Sequence, residues 1–212
     1  MTSKYLTSLL SRYKELSSLK TDITEVFEII KGCYKKEGTL FVCGNGGSAA
    51  DSEHIVGELM KGFLLPRNLK NSNMKNKLEK LYGKEGTLLS KSLQMGLRAV
   101  SLMSHPALYS AFSNDVNAEM IFAQQLYVLA KQGDVLFAIS TSGNARNVLR
   151  AMQVASVIGV KTILLTGMNG GECGKIADKA IKAPEKETYK IQEYHLPIYH
   201  TLCLMLEEYF YA

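Results

Sequence analysis

The chain has 212 residues, 46% of them hydrophobic, and a formal net charge of +5. That size suits one domain, or one domain with a helical appendage, and the apolar fraction is ample for a core. No apolar run reaches the ~18 residues of a membrane span, the N-terminus lacks a signal-peptide pattern, and the charge falls well short of a nucleic-acid-binding excess.

Residues 1–36 read as a long N-terminal helical region, because Leu6, Leu9, Leu10, Tyr13, Leu16, Ile23, Phe27 and Ile30 recur at three- and four-residue steps. Asp22, three before Glu25, offers a capping box if this helix breaks near Leu19 and Lys20. Thr39–Val42 reads as a short buried strand and Asp51–Phe63 as a helix. Residues 64–98 differ in composition: Pro66–Asn73 is polar and turn-rich, lysines stand at 70, 75, 77, 80, 84 and 91, and Asn76–Tyr82 has a helical pattern. The segment reads as an insertion, its lysines either a solvated face or a basic flap over an anionic ligand. Beyond it, Ala99–Met103, Asp134–Ser140, Thr162–Leu165 and Ala180–Ala183 read as strands. Helices are expected over Ala118–Gln132, Asn144–Ile158 and Tyr189–Tyr211. The strands are short and continuously apolar, which predicts a parallel sheet covered on both faces, an α/β architecture. Cys33, Cys43, Cys173 and Cys203 form no CxxC pair and read as buried free thiols of a cytoplasmic protein.

Two turns carry the strongest functional signal. Phe41-Val42-Cys43 runs into Gly44-Asn45-Gly46-Gly47-Ser48, and Leu136–Ile139 runs into Ser140-Thr141-Ser142-Gly143-Asn144; each turn then enters a helix. A strand, a small-residue turn and a helix N-terminus make an anion cradle of outward N–H groups, to which hydroxyls add donors without bulk. Neither turn is a G-x-G-x-x-G or Walker A motif, so the reading is a phosphorylated small molecule. His54 and Glu58, four apart on the next helix, share a face and suit a metal pair, an acid/base pair or a plain surface pair. In the last helix Gln192 and His200 lie near one face but ~12 Å apart in rise, so two long side chains leaning together could share a ligand. Pro197 between them removes a helical hydrogen bond.

In combination, Gly44–Asp51, His54, Glu58, Asn114-Asp115, Ser140–Asn144 and Gln192-Glu193-x-His195-x4-His200 resemble the phosphoheptose isomerase family, the sedoheptulose 7-phosphate isomerase branch of the sugar isomerase (SIS) fold. The resemblance covers about residues 30–63 and 99–210. It implies one SIS domain over 1–212, a three-layer αβα sandwich around a parallel sheet of about five strands, and a homotetramer with active sites shared between subunits. It assigns sugar-phosphate binding to Asn45, Gly46, Gly47, Ser48, Glu58, Asn114, Asp115, Ser140, Thr141, Ser142 and Gln192. It assigns zinc to His54, Glu58, Gln192 and His200, donors that suit this metal, and the acid/base pair to Glu58 and His200. Three features depart from the family pattern. Ala145 stands where a serine is usual, Gly62 where an arginine is common with Lys61 as its neighbouring stand-in, and residues 64–98 lengthen the link between the second and third elements.

The expected reaction is an aldose–ketose isomerisation through an enediol. It needs a base beside the carbon next to the carbonyl and positive charge or donors where the enediolate forms. A Glu58 that ligates metal is a poorer base, so its two roles exclude each other or alternate. The rival readings are an isomerase of another phosphosugar and a non-catalytic sugar-phosphate-binding protein of the same fold; retention of both Glu58 and His200 favours the enzyme.

Overall fold

Five short strands pair in parallel: β1 (Leu40–Cys43), β2 (Ala99–Ser101), β3 (Val135–Ser140), β4 (Lys161–Thr166) and β5 (Lys179–Lys182), in the order β2-β1-β3-β4-β5. Leu40 sits opposite Ala99 on one side and Val135 on the other, and Val135 sits opposite Lys161. The computed structural model describes residues 3–69 and 73–212, so Lys70, Asn71 and Ser72 of the expected turn lie outside the described residues. Successive strand side chains point to opposite faces, and here both faces are apolar. Leu40, Val42, Phe137 and Ile139 enter one core; Phe41, Cys43, Leu136 and Ala138 enter the other. The result is the expected αβα sandwich.

The first face is covered by α1 (Lys4–Arg12), α2 (Lys20–Lys35), α3 (Gly47–Met60) and α9 (Thr188–Tyr211). The second is covered by α5 (Pro106–Phe112), α6 (Ile121–Leu129), α7 (Arg146–Val157) and α8 (Gly171–Ile176). All four cysteines are buried and unpaired. Among the described residues no helix is long and apolar enough to cross a membrane.

The N-terminal region corrects the single long helix. It bends at Tyr13, whose backbone is non-helical, and a short 3-10 stretch over Lys14–Leu19 precedes α2. The capping box does not form either. Leu19 holds the N-cap without a side-chain bond, and Asp22 instead pairs with Lys179 Nζ at 2.8 Å, alongside Glu25. A tertiary cation has taken both residues that a local cap would have used. The helix expected from Asp51 starts four residues earlier, at Gly47, and α5 and α8 lie in stretches read without helices.

The inserted segment folds as α4 (Asn73–Ser92), two helical arms hinged at Gly83, whose φ of +54° suits glycine. The arms fold back closely: a Cβ on Gly86 would meet the Leu78 carbonyl oxygen at 1.9 Å, and Ser90 Oγ donates to Glu79 Oε1 at 3.0 Å. The roots of the segment meet. Asn68 and Gln94 form an antiparallel bridge, and Met95 N–H donates to the Arg67 carbonyl at 2.6 Å. Lys77, Lys80, Lys84 and Lys91 face solvent.

Candidate active site

The strand order places the crevice. In a doubly wound sheet of order 2-1-3-4-5 the connections leave β1 and β3 toward opposite faces, and the C-terminal ends of those two strands open a cleft for ligand. Both hydroxyl- and glycine-rich turns leave from these ends, at Cys43 and Ser140. They are tied across the cleft by Asn45 and Asn147, whose amides exchange hydrogen bonds of 2.8 and 2.9 Å.

Each turn delivers a helix N-terminus without a side-chain cap. Gly46 precedes α3 at φ +54°, and Ala145 precedes α7. First-turn N–H groups carry the positive end of the helix dipole; in α3 Ser48 and Ala49 N–H already donate to the Asn45 and Gly46 carbonyls at 3.0 Å, and in α7 Val148 N–H donates to Asn147 Oδ1 at 3.0 Å, so an anion would meet the leading N–H groups of Gly47, Arg146 and Asn147. The second turn is rigidly built. Gly143 N–H donates to the Ser140 carbonyl at 3.1 Å, and the Gly143 carbonyl accepts from Cys173 N–H at 2.9 Å. Ser142 Oγ accepts from Asn144 N–H at 3.2 Å, and Asn144 Oδ1 accepts from Glu172 N–H at 3.0 Å. Gly143 has φ +68°, and a Cβ there would lie 1.9 Å from the Gly170 carbonyl, so only glycine fits. Ser142 Oγ faces solvent while Ser140 is buried at the strand end.

Helices α3 and α9 run side by side in the same direction. Gln192 packs on Gly47, Tyr199 meets Asp51 and His54, and Glu207 meets residues 63–65. Midway, three functional side chains converge. His54 Nε2 lies 3.5 Å from Glu58 Oε1 and 3.5 Å from His200 Nε2. Glu58 Oε2 accepts from Lys61 Nζ at 2.7 Å. The His54 and His200 rings meet edge to face at 4.9 Å between centroids. Burial lowers the His200 pKa, His54 lowers it further, and Glu58 opposes them. The His200 ring is therefore held toward its neutral form, which is competent to accept a proton or to ligate.

The donor set suits zinc in chemistry and in pairwise spacing, since two ligands of one tetrahedral zinc at ~2.0–2.1 Å bonds lie about 3.3–3.4 Å apart. Among the described residues, however, no three His, Cys, Asp or Glu donors surround one point. Gln192 does not lean toward His200. Its amide is seated on Gly47, where a Cβ would approach Nε2 to 2.7 Å, two turns before His54. Asn114 and Asp115 are exposed on a π-helical turn and bond to each other at 2.9 Å, with no bond to the other expected site residues.

A model described as the SIS domain matches residues 4–88 and 77–167. Phosphoheptose isomerase of Akkermansia muciniphila is 34% identical over 94% of this chain and 92% of its own. The Helicobacter pylori (strain P12) enzyme is 33% identical over 93% and 88%. The chain belongs to the phosphoheptose isomerase family of SIS-domain proteins. The structure of phosphoheptose isomerase GmhA from Neisseria gonorrhoeae superposes with a TM-score of 0.74 at 27% identity, over 96% of this chain and 95% of that one.

Within this phosphoheptose isomerase family fold, one departure has a physical reason. Position 62 admits no side chain, because a Cβ would lie 2.5 Å from the Leu65 carbonyl, while its N–H donates to Gln94 Oε1 at 2.7 Å. The neighbouring cation, Lys61, pairs with Glu58, and a second cation, Arg67, is buried behind that glutamate. Arg67 Nη1 donates to the Leu59 carbonyl at 2.8 Å and Nη2 to the Glu58 carbonyl at 3.4 Å, capping the end of α3. Its Nε donates to Glu207 Oε1 at 2.9 Å. Asn147, Arg67, Glu207 and Tyr199 were not singled out from sequence, and Asp51 only as the end of the first motif, without a role; each meets a partner far along the chain, and no local spacing marks that contact.

His195 is fully buried on α9, and neither ring nitrogen has a well-formed hydrogen bond. Burial pushes its pKa down to about 4, and the Thr166 backbone opposes this without reversing it. The unfolded chain takes up this proton near the ordinary histidine value of ~6.5. The stabilising contribution is complete above that value and is lost as pH falls from about 6.5 to 4, by about 3 kcal/mol. Denaturant unfolding across this range should therefore show a steeper acid loss for the wild type than for His195→Leu.

Proposed function

We propose that the chain isomerises a sugar phosphate between ketose and aldose, with sedoheptulose 7-phosphate and D-glycero-D-manno-heptose 7-phosphate as the pair. The observation that carries this reading is the convergence of Glu58, His54 and His200 on the α3–α9 seam, in a chain whose relatives are named phosphoheptose isomerases.

The phosphate is gripped at the switch-point crevice by the Ser140, Thr141 and Ser142 turn, with Asn45, Gly46, Gly47 and Ser48 opposite. Binding there is remote from the reacting carbons and holds them in place. Glu58 takes the proton from the carbon beside the carbonyl, and His200, kept toward its neutral form, exchanges the proton at the adjacent oxygen. Lys61 steadies the Glu58 carboxylate and adds positive charge near the developing enediolate. His54, Glu58, Gln192 and His200 would hold zinc, with Glu58 serving in alternation as ligand and as base. When bound, zinc polarises the substrate carbonyl and stabilises the enediolate oxygen. Asn114 and Asp115 complete the site from a neighbouring subunit of a homotetramer, which fits their exposure and the large exposed side chains Tyr127, Val128 and Val157. The cytoplasm is the expected compartment, given four buried free thiols.

The decisive test is product analysis across a small panel of sugar phosphates, with and without chelator. Conversion of sedoheptulose 7-phosphate, lost on chelation and restored by zinc, supports the whole reading; no conversion of any phosphosugar removes it. Changing Ser142 to alanine should raise KM more than it lowers kcat, because it removes one hydrogen bond to a charged group, about 1.5–3 kcal/mol. An unchanged KM would place the phosphate elsewhere.

A further inference from the structure

Behind His54 lies a partly buried relay. Tyr199 is packed in the core, with its hydroxyl donating to Asp51 Oδ1 at 3.1 Å and lying 3.0 Å from His54 Nδ1. The chemistry of the three groups fixes the direction of both bonds. An ionised carboxylate only accepts, and a phenol carries one hydrogen. The Tyr199 hydrogen is therefore committed to Asp51, and toward His54 the phenol oxygen can only accept. His54 Nδ1 must then carry the ring hydrogen, which leaves a lone pair on Nε2. Nε2 faces Glu58 Oε1 and His200 Nε2 at 3.5 Å each, longer than an ordinary hydrogen bond, so the 3.0 Å bond at Nδ1 decides the tautomer. The ring is also clamped in orientation, edge to face against Tyr199 at 5.6 Å and His200 at 4.9 Å.

We infer that Tyr199, oriented by Asp51, is a positioning residue that fixes His54 in its Nδ1–H tautomer and keeps Nε2 open toward the site. Tyr199 touches neither substrate nor reacting atoms; it acts through His54. The inference rests on the reading of His54 as a donor in the isomerase site, because only there does an open Nε2 matter. A hydrogen bond of this kind to the remote nitrogen orients a metal-ligating imidazole and raises its basicity.

The test uses the full chain, uniformly 15N-labelled, stripped of metal with chelator and held at alkaline pH so that the histidines are neutral. Long-range proton–nitrogen NMR reads which nitrogen of each ring is protonated, and His54→Gln identifies the His54 signals by their loss. His54 in the wild type should show a protonated Nδ1 and a bare Nε2. Tyr199→Phe keeps the ring volume and removes the acceptor, so the tautomer should move toward Nε2–H. Asp51→Ala frees the phenol hydrogen to turn toward Nδ1 and should shift His54 the same way, an independent arm if one variant folds poorly. Zinc affinity, measured by competition with a chromogenic chelator, should fall about 10–100-fold in Tyr199→Phe. A wild-type His54 protonated on Nε2, a tautomer unmoved in both variants, or equal zinc affinity in wild type and Tyr199→Phe overturns the inference. Absence of isomerase activity with the expected tautomers would instead overturn the assigned reaction and leave the relay standing.

Discussion

Replacing Arg67 with methionine is expected to cost about 3–5 kcal/mol of folding stability. Arg67 and Glu207 are both essentially inaccessible, at 0% and 1% side-chain exposure, so neither charge has solvent to fall back on. Burial alone would raise the Glu207 pKa; the backbone N–H groups of Leu64, Phe63 and Leu65, together with Arg67, outweigh it and hold the carboxyl below its usual range. Removing the guanidinium strands that carboxylate and leaves the Leu59 and Glu58 carbonyls of the α3 terminus without their donors. It also strips the cation stacked 4.5 Å from the Tyr211 ring. Denaturant unfolding at neutral pH measures the deficit. The gap to wild type should narrow as pH falls, because protonation discharges the stranded carboxyl. The double change Arg67→Met with Glu207→Gln should recover part of the loss, since a buried charge without its partner costs more than a missing pair. A loss below about 1 kcal/mol would mean the pair behaves as a surface ion pair.

Glu58→Gln should lower kcat by about 10²–10⁴-fold, the usual contribution of a positioned proton-transfer group. The amide keeps the shape but cannot take a proton, and it gives up the charged partner of Lys61. Sugar-phosphate binding, measured by titration calorimetry, should survive because the phosphate grip belongs to the β1 and β3 turns. Turnover within threefold of wild type would remove the assignment of Glu58.

Much of this architecture was legible because it is local. Continuous apolar runs such as Val135–Ile139 specify buried parallel strands, and the turns at Gly44–Ser48 and Ser140–Asn144 carry their chemistry in consecutive residues. The His54–Glu58 spacing survives translation into a helix as one shared face. What stayed hidden is non-local. The apolar periodicity runs unbroken past Tyr13, so it cannot reveal that the chain bends there to lay α1 against α9. Gly46 and Gly47 disguise the true start of α3 because glycine is a poor helix former. Gln192 and His200 share a helix, yet packing of α9 along α3 sends one amide to Gly47 and the other side chain to His54, separating two groups that spacing alone suggested could meet. The Arg67–Glu207 clasp joins positions 140 apart, and no window of sequence contains both.

The bridge between Asn68 and Gln94, with Met95 bonded back to Arg67, makes the intervening stretch a self-closed excursion whose exit lies beside its entrance. Closure of the chain there is already achieved by the body of the protein, so the length between the two strands of that bridge is thermodynamically almost free to vary. Excising residues 69–93 and rejoining the ends through a glycine-containing two-residue turn should yield a shorter chain that still folds, with its melting temperature little changed. The same junction is a natural graft point, where a foreign peptide could be carried next to Glu58 without the sheet registering its presence.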